Sequence, residues 1–196
     1  MTNIFRGELV RLTAEEPQEL AAAFSRWNRD SEYTRLLDYD PMRMWSEKKM
    51  KEYIEKDMDA EPPKEYFFQV RELAEDKLIG FVGLFPIWAH GNAWIGIGIG
   101  ERDYWGKGYG TDAMRLALQF AFMELNLHRV SLNVFEYNPR AIRSYEKAGF
   151  REEGRRRKML LRNGRRWDEI EMGILREEWL LSTDAKRTPA PTAGAV

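Results

Sequence analysis

Residues Gly96–Asp112 read GIGIGERDYWGKGYGTD, and two patterns stand side by side in them. Gly96, Gly98 and Gly100 alternate with Ile95, Ile97 and Ile99. Side chains on a strand alternate faces, so this is a strand with branched apolar residues on one face and bare backbone on the other. Bare backbone lets something approach closely. Gly106, Gly108 and Gly110 then punctuate a polar turn, after which an apolar helical pattern begins. Such a turn gathers backbone N–H groups and the positive end of a helix dipole, which suits a phosphate or pyrophosphate. The phosphate-loop string Gly, four residues, Gly-Lys-Ser/Thr is missing, and the spacing is G-x-G-x-G rather than the dinucleotide G-x-G-x-x-G. A glycine-rich turn without a ligand is the bland alternative, and the glycine-faced strand just before it weighs against that.

Outward from this stretch, helix and hairpin signals alternate. After it, Ala113, Leu116, Ala117, Phe120 and Ala121 form an apolar stripe on a helix over about Gly108–Glu124, wide enough to pack hard against a sheet. His128–Phe135 alternates as a strand. Asn138 and Pro139 suit the cap and first position of a helix that Gly149 ends. Arg151–Leu161 and Trp167–Leu175 are strands joined by Asn163-Gly164, a strong hairpin signal. Before the central stretch, Tyr66–Glu72 and Leu78–Pro86 flank a turn at Glu75-Asp76-Lys77, and a loop through His90-Gly91-Asn92 follows. Glu8–Leu12 reads as a first strand, Pro17 opens a helix to about Trp27, and Ser46 opens another to Met58 that Glu61-Pro62-Pro63 breaks. Asn28–Trp45 mixes polar and aromatic residues as loops and short helical pieces. Hairpins combined with two strand–helix units predict an α/β domain with a mixed sheet over residues 1–181, with a disordered tail over 182–196.

Composition narrows the chemistry. The 196 residues suffice for one domain with a core. Net charge is −1, against the basic excess of a general nucleic-acid binder. No apolar run reaches the ~20 residues of a membrane span, and the N-terminus lacks the apolar core of a secretory signal, so a cytoplasmic location is expected. Cysteine is absent, which excludes disulfides, thiolate metal sites and a cysteine nucleophile; with only two histidines, His90 and His128, no metal centre is expected.

Taken in order, YWGKGYG before a helix, then a strand, then NPRAIRSYEKAGF and EGRRR resemble the GNAT acetyltransferase superfamily, and within it the RimJ/RimL-like branch. The opening FRGELVRL and the closing GRRWDEIEMGIL extend the resemblance over about Phe5–Glu178. It implies a mixed, mostly antiparallel twisted sheet with a splayed central parallel strand pair, flanked by helices. It implies acetyl-CoA as donor and an amine as acceptor. The pantetheine arm is expected on backbone groups of Ile97, Gly98 and Ile99. The pyrophosphate is expected on the backbone of Trp105, Gly106, Lys107, Gly108, Tyr109, Gly110 and Thr111. Trp105 departs from the family, which has Gln or Arg there. Asn138 and Ala141 complete the expected cofactor contacts, although Asn138 also reads as a plain helix cap.

The resemblance implies Tyr145 as general acid. A phenol near ~10 can protonate a departing thiolate, whose conjugate thiol lies near ~8.5. A core tyrosine is the competing reading. Glu101, ending the glycine-faced strand, is the candidate base, with His90 as a weaker alternative and a solvated carboxylate as the bland reading. Direct attack by the amine in a ternary complex is the simplest mechanism. Glu32, Asp38 or Asp40 could receive a cationic acceptor. Arg155–Lys158 and Arg162–Arg166 read as solvated faces, or as contacts to the CoA 3′-phosphate or an acidic partner. The branch favours a protein N-terminal α-amine as acceptor, as in a ribosomal protein. A polyamine or aminoglycoside, and a non-catalytic acyl-CoA-binding domain, are the alternatives. Related proteins often form homodimers. An RNA-binding reading of the arginine hairpin conflicts with the balanced charge.

Overall fold

The computed structural model describes residues 3–41, 43–58 and 65–187. The chain runs β1 (Val10–Thr13), α1 (Pro17–Trp27), α2 (Ser31–Leu37), α3 (Glu47–Met58), β2 (Tyr66–Glu72) and β3 (Leu78–Ile87). A short 3-10 turn over Trp88–His90 leads to β4 (Asn92–Ile99). There follow α4 (Tyr109–Gln119), β5 (Arg129–Phe135), α5 (Pro139–Ala148), β6 (Arg151–Arg162), β7 (Arg165–Leu175) and α6 (Arg176–Arg187). The seven strands form one sheet in the order β1-β2-β3-β4-β5-β7-β6. Every neighbouring pair is antiparallel except β4 with β5.

That parallel pair is short. Asn92, Ala93 and Trp94 pair with Arg129, Val130 and Ser131, and the register stops there. Beyond it β4 continues to pair with β3 as far as Gly80↔Ile99, while β5 continues with β7 as far as Phe135↔Glu169. The two strands therefore diverge toward their C-terminal ends, as the resemblance implies, leaving an open wedge in mid-sheet.

The two faces of β4 meet different layers. Ile95 is buried, and Ile97 and Ile99 pack with it, in a core that includes Met114, Ala117 and Leu118 of α4. The glycine face meets the aromatic layer of α1 and α2, around Trp27, Tyr33 and Phe81. A Cβ at Gly98 would stand 2.6 Å from the Phe81 ring and 2.9 Å from the Tyr33 hydroxyl, and one at Gly100 would fall inside the Trp27 indole. The close approach that the bare backbone allows is made, at Gly98 and Gly100, by the protein's own rings.

Local signals explain most boundaries. Asn163 and Gly164 both take positive φ, 53° and 71°, as a tight primed hairpin turn requires. Asp30 caps α2 by accepting from the N–H groups of Glu32 and Tyr33. β1 begins two residues later than expected because the N–H groups of Leu9 and Val10 donate to the buried Asp112 carboxylate of α4, at 2.8 and 3.0 Å. The helix expected to reach Glu124 instead widens to a π turn over Phe120–Glu124, closed by Leu125 N–H donating to Phe120 C=O at 3.1 Å. Phe120 there packs on Phe5, Phe68 and Tyr66, and Phe122 on Trp179 of α6. Helix α6 extends to Arg187, past the boundary at 181 expected from composition. The remainder of that tail and the Glu61-Pro62-Pro63 break lie outside the described residues. Among the described residues, no helix is long and apolar enough to cross a membrane.

Candidate active site

The wedge between β4 and β5 opens into a cleft of about 690 Å³. Its floor is Gly96–Ile99 of β4 and Asn133–Phe135 of β5; α4 and α5 wall one side and α2 the other. Of the expected cofactor contacts, Ile97, Gly98, Ile99, Trp105, Gly106, Gly108, Gly110, Thr111, Asn138 and Ala141 line it. Two do not. Lys107 is exposed, and the Tyr109 ring packs edge-on against Tyr104 at 4.9 Å.

The glycine loop is built for an anion. Gly106 and Gly108 take φ of +72° and +96°, a backbone conformation that side chains resist. Nothing lies within 4 Å of where a Gly106 side chain would begin, so the loop presents its backbone openly. Gly108 is the N-cap of α4, and the first helical bond there is Asp112 N–H to Gly108 C=O at 2.9 Å. The N–H groups of Tyr109, Gly110 and Thr111 therefore precede the helical ladder and remain available to a phosphate. Arg115, Arg140, Arg143 and Lys147 line the same cleft and add positive charge.

Trp105 does something other than bind phosphate with a side-chain cation. Its indole N–H donates to Ile99 C=O at 2.6 Å, closing the end of β4. The Arg140 guanidinium stacks 3.7 Å over its ring. Where the family pattern has Gln or Arg at position 105, a cation from α5 lies flat on the tryptophan instead.

Asn138 caps α5 by accepting from Ala141 N–H at 3.2 Å, while its amide donates to Leu36 C=O at 3.4 Å. Oxygen and nitrogen both have protein partners, and the residue clasps α5 to α2 across the mouth of the wedge. The helical spacing Asn138, Ala141, Ser144–Tyr145 turns one face of α5 into the cleft. Ser144, which the motifs did not single out, shares a 2.8 Å hydrogen bond with Thr111 and ties the two helix walls together. Tyr145 also lines the cleft, with its ring edge-on to Phe150. Burial pushes its phenol up to about 12.

Glu101 is a correction. It does not line the cleft. Its carboxylate accepts from Trp27 Nε1 at 2.8 Å, Arg26 at 2.7 Å and Lys77 at 3.2 Å. Burial works to raise its pKa, but those donors, Trp27 foremost, outweigh it and hold the carboxyl below its ordinary range. A carboxylate so occupied is a poor base, and it serves as the anchor of α1 on the end of β4. Glu101→Gln is therefore expected to keep acetyl-transfer turnover within about twofold, measured by thiol release. A loss beyond about tenfold would restore the base role. His90, the weaker alternative, is exposed on the turn before β4 and also lies outside the cleft.

Of the three acidic candidates for an acceptor, Asp38 alone lines the cleft. Glu32 pairs with Arg102 at 2.7 Å, and Asp40 donates its N–H to the Asp38 carboxylate at 3.0 Å. The basic hairpin runs are absent from the cleft. Arg155 and Arg156 pair with Glu152 and Glu169, and Arg162 donates to the carbonyls of Asp38 and Tyr39.

Comparison with known proteins agrees with this geometry. Residues 9–151 match the family described as Acetyltransferase (GNAT) domain. The probable N-acetyltransferase YjcK of Bacillus subtilis is 39% identical over 130 residues, covering 65% of this chain and 70% of that protein. The spermidine N(1)-acetyltransferase of Vibrio cholerae is 38% identical over 112 residues, or 57% of this chain and 64% of its own. The crystal structure of spermidine N-acetyltransferase from Vibrio cholerae in complex with CoA and spermine superposes with a TM-score of 0.75 at 29% identity, covering 87% of this chain and 98% of that one.

Proposed function

This chain belongs to the GNAT acetyltransferase family and is an acetyl-CoA-dependent N-acetyltransferase, and on that premise we propose that its acceptor is a small cationic amine of the polyamine kind. The observation that carries this is Asp38, an acidic residue at the C-terminal end of α2 that lines the cleft. In this reading Asp38 attracts the cationic acceptor, and the glycine loop with Arg115, Arg140, Arg143 and Lys147 receives the donor's phosphates. The likeness to spermidine acetyltransferases supports the same reading. The protein α-amine suggested by the RimJ/RimL-like motifs has less support, since no relative or structure reported above acts on one by its name.

In this reading the pantetheine arm occupies the wedge, against backbone groups of Ile97, Gly98 and Ile99. The pyrophosphate rests on the N–H groups of Tyr109, Gly110 and Thr111, near Arg140. The amine nitrogen attacks the thioester carbonyl carbon, forming the C–N bond. The tetrahedral intermediate then collapses, the C–S bond breaks, and Tyr145 gives its proton to the leaving sulfur. The proton lost from the amine passes to water, because Glu101 is occupied and the Asp112 carboxylate is taken by two backbone N–H groups.

Thiol release from acetyl-CoA reads the reaction without protein background, since the chain has no cysteine. Spermidine and spermine are expected to support turnover, and Ser- or Ala-starting peptides to fall at least about tenfold below them in kcat/KM. The reverse ranking would restore the α-amine reading. Asp38→Asn is expected to raise KM for spermidine about 5- to 10-fold with kcat nearly unchanged, as for loss of a charge that binds ground and transition states alike.

A further inference from the structure

Tyr33 sits on α2 with 3% of its surface exposed, yet its hydroxyl has no hydrogen-bond partner among the described residues. A buried hydroxyl left unpaired is costly, and native interiors hold few of them. The residue lines the cleft, and its oxygen lies 2.9 Å from where a Cβ of Gly98 would stand, so it reaches down to the backbone of β4 at the open wedge. Its surroundings are otherwise aromatic: the Trp27 ring centroid lies 6.1 Å away, and Phe81 flanks the same glycine.

We propose that the Tyr33 hydroxyl donates a hydrogen bond to the carbonyl oxygen of the bound acetyl thioester, acting with the β4 backbone to hold the charge that grows there. This rests on the acetyltransferase reading of the cleft and adds a catalytic residue to it. A neutral carbonyl suits the position better than the acceptor's ammonium. The carboxylate that meets this aromatic layer, Glu101, is engaged by Trp27, Arg26 and Lys77. Burial also raises the phenol's pKa, so the group stays a donor at working pH. The oxygen has no hydrogen-bond partner to lose, and a thioester carbonyl in the wedge beside Ile97–Ile99, which line the same cleft, would supply one. Gly98 cannot carry a side chain here, because that Cβ would occupy the space between Phe81 and the hydroxyl.

Tyr33→Phe removes the hydroxyl alone and is the test. The variant is expected to melt at or above the wild-type temperature, because an unpartnered buried oxygen is lost. Its kcat is expected to fall about 10- to 30-fold, since the hydroxyl shares the oxyanion with backbone donors. A second readout needs no acceptor: titration calorimetry with acetyl-CoA and with S-ethyl-CoA, a thioether lacking the carbonyl. Wild type should prefer acetyl-CoA about 3- to 10-fold, and Tyr33→Phe should bind the two about equally. The same preference in both proteins, or an unchanged kcat, would overturn the assignment, as would a lower melting temperature, which would give the hydroxyl a structural partner. Wild type binding neither compound would overturn the acetyl-CoA reading itself, and this assignment with it, a result separable from failure of the Tyr33 role alone.

Discussion

Tyr145→Phe is expected to lower kcat by about 10²–10³-fold while acetyl-CoA affinity stays within about twofold. A positioned general acid contributes in that range, and the substitution deletes one hydroxyl from a ring whose packing on Phe150 is retained. The ring lines the cleft two turns beyond the cap of α5, on the same face as Asn138 and Ala141. Without the hydroxyl the CoA sulfur must leave as a thiolate or take its proton from water. The pH profile sharpens the test. A free phenol would begin to ionise near pH 10, whereas burial holds this one up to about 12. The wild-type rate should therefore show no falling limb from Tyr145 through pH 10. Single-turnover rates for both proteins, with acetyl-CoA binding measured separately, give the comparison. Equal rates would make Tyr145 a packing residue and would favour a non-catalytic acyl-CoA-binding domain if no acceptor supports turnover.

Gly100→Ala is expected to destabilise the protein by about 3 kcal/mol, at the upper end for forcing an atom into a filled core. The new methyl would enter the Trp27 indole, a 3% exposed ring whose N–H is fixed on Glu101. The indole cannot retreat without giving up that bond and its edge contact with Phe24 at 5.6 Å. For a chain of this length the loss corresponds to a melting temperature lower by about 6–12 °C. Gly154→Ala is the control, because nothing lies within 4 Å of its position; its melting temperature should stay within about 2 °C of wild type. Similar shifts for the two variants would mean that the ring moves aside freely.

The sequence was most legible where local chemistry decides the structure. The helix opened by Pro17 and the strand Tyr66–Glu72 end where apolar spacing and turn residues place their ends. The glycine loop, the Asn138 cap and the Asn163-Gly164 turn follow from backbone requirements alone. What stayed hidden depends on partners far along the chain. Glu101 ends the right strand and reads as a base, but its duty is set by Arg26, Trp27 and Lys77, 75, 74 and 24 residues away. The glycine face of β4 shows that something approaches, not that the visitor comes from α1 and α2. Helix α2 was hard to separate from its polar and aromatic surroundings, and Tyr33 within it gains meaning only when Gly98 lies beneath it. Arg140 lies within the NPRAIRSYEKAGF stretch, but its stacking on Trp105 needs the tertiary fold.

The three-pair joint between β4 and β5 gives this sheet four edges instead of two. β1 and β6 form the outer ones; the inner two face each other across the wedge, where Ile95–Ile99 and Leu132–Phe135 have no ladder partner on that side. Exposed edges invite strands from other chains. These two are recessed between α2 on one wall and α4 and α5 on the other, unlike the outer edges of β1 and β6. In the proposed function, a slender donor carrying amide groups of its own lies against them. The fold thus keeps a template for strand addition in a recessed slot, and the same unpaired backbone that would be a liability on the outside becomes a recognition surface within.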